Sequence, residues 1–181
     1  MMPRQRSSPW LWEFYLLCKI MIIRILWVGK NKDSYIKSAI EEFLKRIRPY
    51  AEIAITNILE VALSGTNNPE VVIRQEGMAI NKYLDEKLKS FTKTPFIVCL
   101  DYQGVMYDSA EFADFIAEKA SYNDILFVIG GVYGLAEEVK RRCNLILSLS
   151  KLTFTHQMVR IILLEQLYRA FTIIHGKKYH Y

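Results

Sequence analysis

Ile125-Leu126-Phe127-Val128-Ile129-Gly130-Gly131-Val132-Tyr133-Gly134-Leu135-Ala136-Glu137-Glu138-Val139 is the stretch whose reading decides the fold. Leu126 to Ile129 is a short, wholly apolar run, the pattern of a strand buried on both faces. It breaks into Gly130-Gly131, and Gly134 opens an amphipathic segment, Leu135 to Cys143. A strand that ends in glycines and feeds a helix lets backbone N–H groups approach a ligand closely. A second apolar run, Leu145 to Leu149, leads into Ser150-Lys151-Leu152-Thr153-Phe154-Thr155-His156 and then a long helical pattern carrying Arg160, Glu165 and Arg169. Two strand ends, each with a polar loop and a helix, predict the floor of one cofactor pocket.

Upstream, the same alternation repeats. Ile22 to Val28 reads as a strand, with Gly29-Lys30-Asn31-Lys32 as its turn. Ser34 is placed to cap a helix in which Ile36, Ala39, Ile40, Phe43, Leu44 and Ile47 recur at helical spacing, and Pro49 stops it. Glu52 to Leu59 alternates as a second strand, and Leu63 to Pro69 is a polar loop. Pro69 suits the first turn of a helix reaching about Ser90. Its apolar face is Val72, Ile73, Ala79, Ile80, Leu84 and Leu88, and its expected solvated face carries Arg74, Glu76, Lys82, Asp85 and Lys87. Phe96 to Leu100 is a third strand, ending at Asp101 and a turn containing Gly104. Asp108 or Ser109 caps the next helix, with its stripe Phe112, Phe115, Ile116 and Ala120. About five strands alternating with about five helices predict a three-layer α/β domain with a mostly parallel sheet.

With 181 residues, 51% of them hydrophobic and 24% charged, the chain is of ordinary globular composition and long enough for a sizeable core. A net charge of +5 suits a polyanionic partner such as RNA, and equally a surface that merely stays soluble. From Lys151 onward there are five basic residues against the single acid Glu165, and all three histidines, His156, His175 and His180, lie there. Cys18, Cys99 and Cys143 show neither metal nor redox spacing, so buried, reduced thiols and no metal site are expected. Residues 1–20 look foreign to the rest of the chain. Arg4 and Arg6 precede an apolar run interrupted by Glu13 and too short to span a membrane, and it carries no small-residue cleavage site. They read as a leader or appended segment, with a single domain over residues 21–181.

The glycine loop alone is a weak signal. It lacks the spacing of a dinucleotide fingerprint, and no Walker lysine comes after it. On pattern alone, the glycines are equally a tight strand-to-helix turn. More specific is an ordered set: Ile22 to Lys30; Leu100-Asp101; Phe127 to Gly131 with Gly134-Leu135; Leu149-Ser150-x-Leu152-Thr153; His156; Val159-Arg160; Glu165-Gln166-Leu167-Tyr168-Arg169-Ala170; and Tyr179-His180. Over Met21 to Tyr181 this set resembles the large-subunit ribosomal RNA pseudouridine N3-methyltransferase family, minimal members of the SPOUT methyltransferases.

The resemblance implies S-adenosylmethionine-dependent transfer of a methyl to N3 of a pseudouridine in large-subunit ribosomal RNA, on the assembled ribosome, by a cytoplasmic homodimer with no membrane role. It also implies a C-terminal trefoil knot, which sequence rules alone would make improbable. Carried over, Leu100, Gly130, Gly131, Leu149, Ser150, Lys151, Leu152, Thr153 and Phe154 line the cofactor site. His156, Tyr179 and His180 are candidates for handling the N3 proton, with Arg160 as a stabilising cation. Arg160 could instead pair with Glu165, and Arg169 could cap helix carbonyls or join a dimer interface. Tyr179-His180 would be read as a disordered end without the family. Three features depart from it: Thr155 and Gln157 stand where prolines flank the loop histidine, Val132-Tyr133 occupies the glycine loop, and Tyr181 stands where arginine comes after Tyr-His. The alternative is a non-catalytic ribosome- or RNA-binding factor of the same fold. A transfer RNA methyltransferase is disfavoured, because no added RNA-binding domain is present.

Overall fold

The computed structural model describes residues 22–61, 68–89, 94–120 and 124–177. Five strands and five helices alternate: β1 (Ile22–Val28), α1 (Ser34–Ile47), β2 (Glu52–Ile58), α2 (Pro69–Leu88), β3 (Phe96–Met106), α3 (Ser109–Ala120), β4 (Ile125–Ile129), α4 (Glu137–Lys140), β5 (Leu145–Ser148) and α5 (His156–Ile174). The strands form one sheet in the order β2-β1-β4-β3-β5, and every pairing is parallel.

The period-2 alternation of side chains sorts each strand between two cores. Ile23, Ile25 and Trp27 of β1, with Phe127 and Ile129 of β4, face α1, α3 and α5. Leu26 and Val28, with Leu126 and Val128, face α2 and α4. β4 is buried at all five positions because both faces are covered. The expected three-layer architecture is therefore the observed one.

Capping obeys local chemistry. Asp108 Oδ1 accepts from the N–H groups of Ala110 and Glu111, both at 2.8 Å, while Glu111 Oε2 accepts from Asp108 N. This reciprocal arrangement starts α3. Asn68 caps α2 by accepting from Glu70 N, with Pro69 in its first turn. Ser34 does not cap α1; Asp33 holds the cap position, without a side-chain bond.

Three further expectations are corrected. β3 does not end at Leu100. It bulges over Asp101 to Gly104 and pairs with β5 again at Val105 and Met106. The amphipathic segment after the glycine loop is helical only over Glu137–Lys140. Cys99 and Cys143 are joined as a disulfide, 44 residues apart in sequence, where reduced thiols were expected. That pairing joins β3 to the segment after α4, so only the fold brings the two together. Cys18 lies outside the described residues. Among the described residues no helix is long and apolar enough to cross a membrane, and no group of three or more His, Cys, Asp or Glu could hold a metal ion.

Candidate functional site

Because all strands run parallel, the loops leaving β3, β4 and β5 emerge at the same edge of the sheet, where a doubly covered α/β sheet opens a crevice. They enclose a cleft of about 910 Å³. Leu100 and the β3 bulge form one wall, Gly130, Gly131 and the rest of the glycine loop another, and residues 149–156 a third. Of the expected cofactor residues, Leu100, Gly130, Gly131, Leu149, Ser150, Leu152, Thr153 and Phe154 line the cleft, whereas Lys151 is exposed outside it.

The loop after β5 is held by its own serines. Ser148 Oγ donates to Ser150 O at 2.8 Å, and Ser150 Oγ accepts from Leu152 N at 3.0 Å. Thr155 caps α5 by accepting from Met158 N. That cap sets His156 on the first turn of α5, at the cleft.

Glycines 130 and 131 are required by contact. A Cβ on Gly130 would run into the carbonyl of Gly134. One on Gly131 would stand 2.5 Å from Glu76 Oε2 and 2.9 Å from Oε1. Glu76 was expected on the wet face of α2, yet it is 2% exposed. It falls at the four-residue step between Val72 and Ile80, inside the buried stripe. Burial pushes its carboxyl pKa up, a hydrogen bond from the Val61 backbone opposes this, and the Glu60 charge adds to it. The sequence signal for this site was available in Gly77: a glycine inside a helix is destabilising and points to a close packing contact.

Arg160 does not line the cleft. It is fully buried, with Nη2 donating to Val28 O and Nη1 to Asn31, its guanidinium over the Trp27 ring 4.9 Å from the centroid. Burial lowers its pKa to about 10, against the pull of Glu60, so it remains a cation at neutral pH. Glu165 pairs with Arg169 rather than with Arg160. Tyr179 and His180 lie outside the described residues.

His156 is pushed below its ordinary value of 6.5, first by burial and then by the Arg160 and Lys32 charges, against Glu60. Its imidazole is therefore neutral at pH 7 and able to accept a proton. A ring with a depressed folded-state pKa costs no stability above 6.5, and stability is lost as pH falls from 6.5 through the lowered value. In an NMR titration the His156 ring should titrate below a histidine in an unfolded peptide. His156→Gln should flatten the acid limb of the melting curve against pH; an unshifted titration would remove the basis for a neutral acceptor.

Sequence reasoning also missed a charge pair in the cleft wall. Lys140 Nζ lies 2.7 Å from Asp101 Oδ2 and 2.9 Å from Glu137 Oε1. Burial lowers the lysine pKa, but hydrogen bonds and charge from Asp101 and Glu137 outweigh it, and the net shift is upward. This stabilisation is intact below the ordinary lysine pKa and is lost as pH rises through the raised one. Lys140→Met leaves Asp101, whose side chain is 7% exposed, without its cation. We expect a cost of about 2 kcal/mol, below the range for fully buried pairs because the lysine keeps some solvent contact. Removing Asp101's charge in the same chain (Lys140→Met with Asp101→Asn) should recover most of the loss in thermal denaturation.

Residues 21–180 match the family model described as "Predicted SPOUT methyltransferase". The chain belongs to the SPOUT methyltransferase family. Among curated relatives, the ribosomal RNA large subunit methyltransferase H of Carboxydothermus hydrogenoformans is 41% identical over 165 residues, covering 88% of this chain and 99% of the relative. The Geobacter sulfurreducens protein of the same name is 38% identical over 164 residues, covering 89% and 100%. Among solved structures, a probable methyltransferase from Bordetella pertussis superposes with a TM-score of 0.52 at 12% identity, covering 88% of this chain and 98% of that one. A probable methylase family protein from Haemophilus influenzae gives 0.52 at 16% identity, covering 88% and 70%. At such identities these structures bear on the fold alone, and they agree with the α/β sheet of this SPOUT chain.

The cleft fits the cofactor that the resemblance implies. Glycines 130 and 131 line it, and among the described residues the buried Gln157 Oε1, at the same cleft, has no hydrogen-bond partner. A ligand bearing N–H or O–H donors would satisfy that oxygen.

Proposed function

We propose that the chain is an S-adenosylmethionine-dependent methyltransferase acting on N3 of a pseudouridine in large-subunit ribosomal RNA. The observation that carries the reading is the convergence, in one cleft, of the glycine loop, the serine-braced loop 149–154 and His156. Relatives that carry the ribosomal RNA methyltransferase name align over nearly their whole length, which supports the RNA class.

The cofactor, when bound, supplies an electrophilic methyl on a sulfonium. The chain's own contribution is positioning and proton handling. Gly130, Gly131 and the backbone of 149–154 hold and orient the cofactor. His156 accepts the N3 proton as the base becomes anionic, or hydrogen-bonds the base to fix it. Arg160 acts behind it: bonded to Val28 and Asn31, it fixes the start of α5 and hence the His156 ring. The resemblance implies a homodimer, and a tail carrying Tyr179 and His180 into the partner's pocket would explain a site completed only in the dimer. We further propose that the substrate is the assembled ribosome in the cytoplasm, whose folded RNA supplies recognition through phosphates and shape, since the domain is small and basic.

The test is calorimetric titration of S-adenosylmethionine into the full chain, alongside methyl transfer to purified ribosomes with mapping of the modified nucleotide. Binding with transfer to a pseudouridine is the expected result. Binding without transfer to any ribosomal particle would overturn the substrate, and no binding would overturn the cofactor.

A further inference from the structure

Methyl transfer by the groups named for it leaves the buried carboxyl of Glu76 without a part in the reaction. Two consecutive residues of α2 grip the glycine loop. A Cβ on Gly77 would stand 2.6 Å from Ala136 Cβ, so this glycine lets the helix sit directly on the segment after the loop. Glu76, one residue earlier, then meets Gly131, close enough that neither carboxylate oxygen leaves room for a side chain there. Gly131 itself lines the cleft, so one residue's backbone stands between the carboxyl and the ligand.

That carboxyl accepts a hydrogen bond from the Val61 backbone and is otherwise only partly satisfied. Among the described residues, Oε2 is buried without a hydrogen-bond partner. The charge acting on it is another carboxylate, Glu60, which opposes its ionisation. A lone carboxylate in the interior is unfavourable unless a cation stands near it. The methyl-transfer reading supplies such a cation. The sulfonium cofactor carries a positive charge at sulfur; after the methyl leaves for nitrogen, sulfur is a neutral thioether.

We propose that Glu76 is a specificity residue of the cofactor site, its carboxylate placed under Gly131 to favour the cationic sulfonium cofactor over the neutral thioether product. The inference rests on the proposed cofactor. The charge acts across the loop rather than by contact, in surroundings less polar than water, where a unit charge is felt over several ångströms. Product release is aided in the same way, because the attraction disappears when the methyl has gone.

The experiment is calorimetric titration of S-adenosylmethionine and S-adenosylhomocysteine into the full chain, for the wild type, Glu76→Gln and Glu76→Met, with thermal denaturation of each. Gln keeps the shape and removes the charge; Met removes the polar atoms as well, so a folded neutral variant is available if the amide is not tolerated. Affinity for the sulfonium should fall about tenfold in either, while that for the thioether stays within about twofold. A merely structural Glu76 would move both ligands equally, and equal shifts, or none, in a folded variant overturn the proposal. If the wild type binds neither ligand, it is the cofactor reading that fails; if it binds both and the ratio is unchanged in the variants, only this inference does.

Discussion

Gly131→Ala is expected to weaken S-adenosylmethionine binding by at least about a hundredfold, the equivalent of roughly 3 kcal/mol. The backbone at this position is not in the left-handed region; the glycines that are, among the described residues, are Gly29, Gly134 and Gly176. Alanine is therefore acceptable on dihedral grounds, and the penalty is steric. The added methyl would meet a carboxyl that is itself buried and has little room to retreat. Overfilling a packed interior typically costs about 1–3 kcal/mol and is relieved by backbone movement. Here the movable part is the glycine loop, so the strain appears as a displaced cofactor floor. In a Glu76→Ala background the same Gly131→Ala change should be far milder, because the space is free. Wild-type binding by Gly131→Ala alone would show that this loop is no part of the cofactor site.

Arg160→Met should lower stability by about 3–5 kcal/mol, with a melting temperature roughly 10 °C lower for a chain of this size. The methionine fills much of the volume but donates nothing. The Val28 carbonyl and the Asn31 side chain then lose their partner, and Trp27 loses the cation over its ring. Lysine should rescue only in part, since a single ammonium cannot reproduce the planar fork that reaches two acceptors at once. Transfer assayed well below the melting temperature separates the two roles the sequence left open. A positioning residue predicts a reduced rate that tracks the disturbed start of α5, and with it a changed His156 titration. A cation acting on the substrate predicts lost turnover with unchanged melting.

The apolar runs, the helical stripes and the turn residues were enough to place the alternating elements, because a strand covered on both faces and a helix covered on one leave distinct periodicities. Val72, Ile80 and Leu84 were legible as a core stripe for that reason. Glu76 was not, since periodicity counts apolar residues and treats a carboxylate at the next step as a break in the pattern. The β3 bulge was missed for a related reason: Gly104 signals a turn, and only the neighbouring β5 shows that pairing resumes beyond it. Cys99 and Cys143 carry no spacing signal, so their disulfide depended on how α4 lies against β3.

Sequence by itself determined the three-layer class and, through the ordered motifs from Gly130 to Arg169, the methyltransferase family. It also placed nearly all of the cleft's loops, because loops that leave parallel strands must gather at one edge of the sheet. Only the tertiary structure decided that Arg160 is a buried brace, that Lys140 and Asp101 share a wall, and that Glu76 lies beneath Gly131. Those facts depend on contacts between residues far apart in the chain, and such contacts exist only once the helices have settled against the sheet.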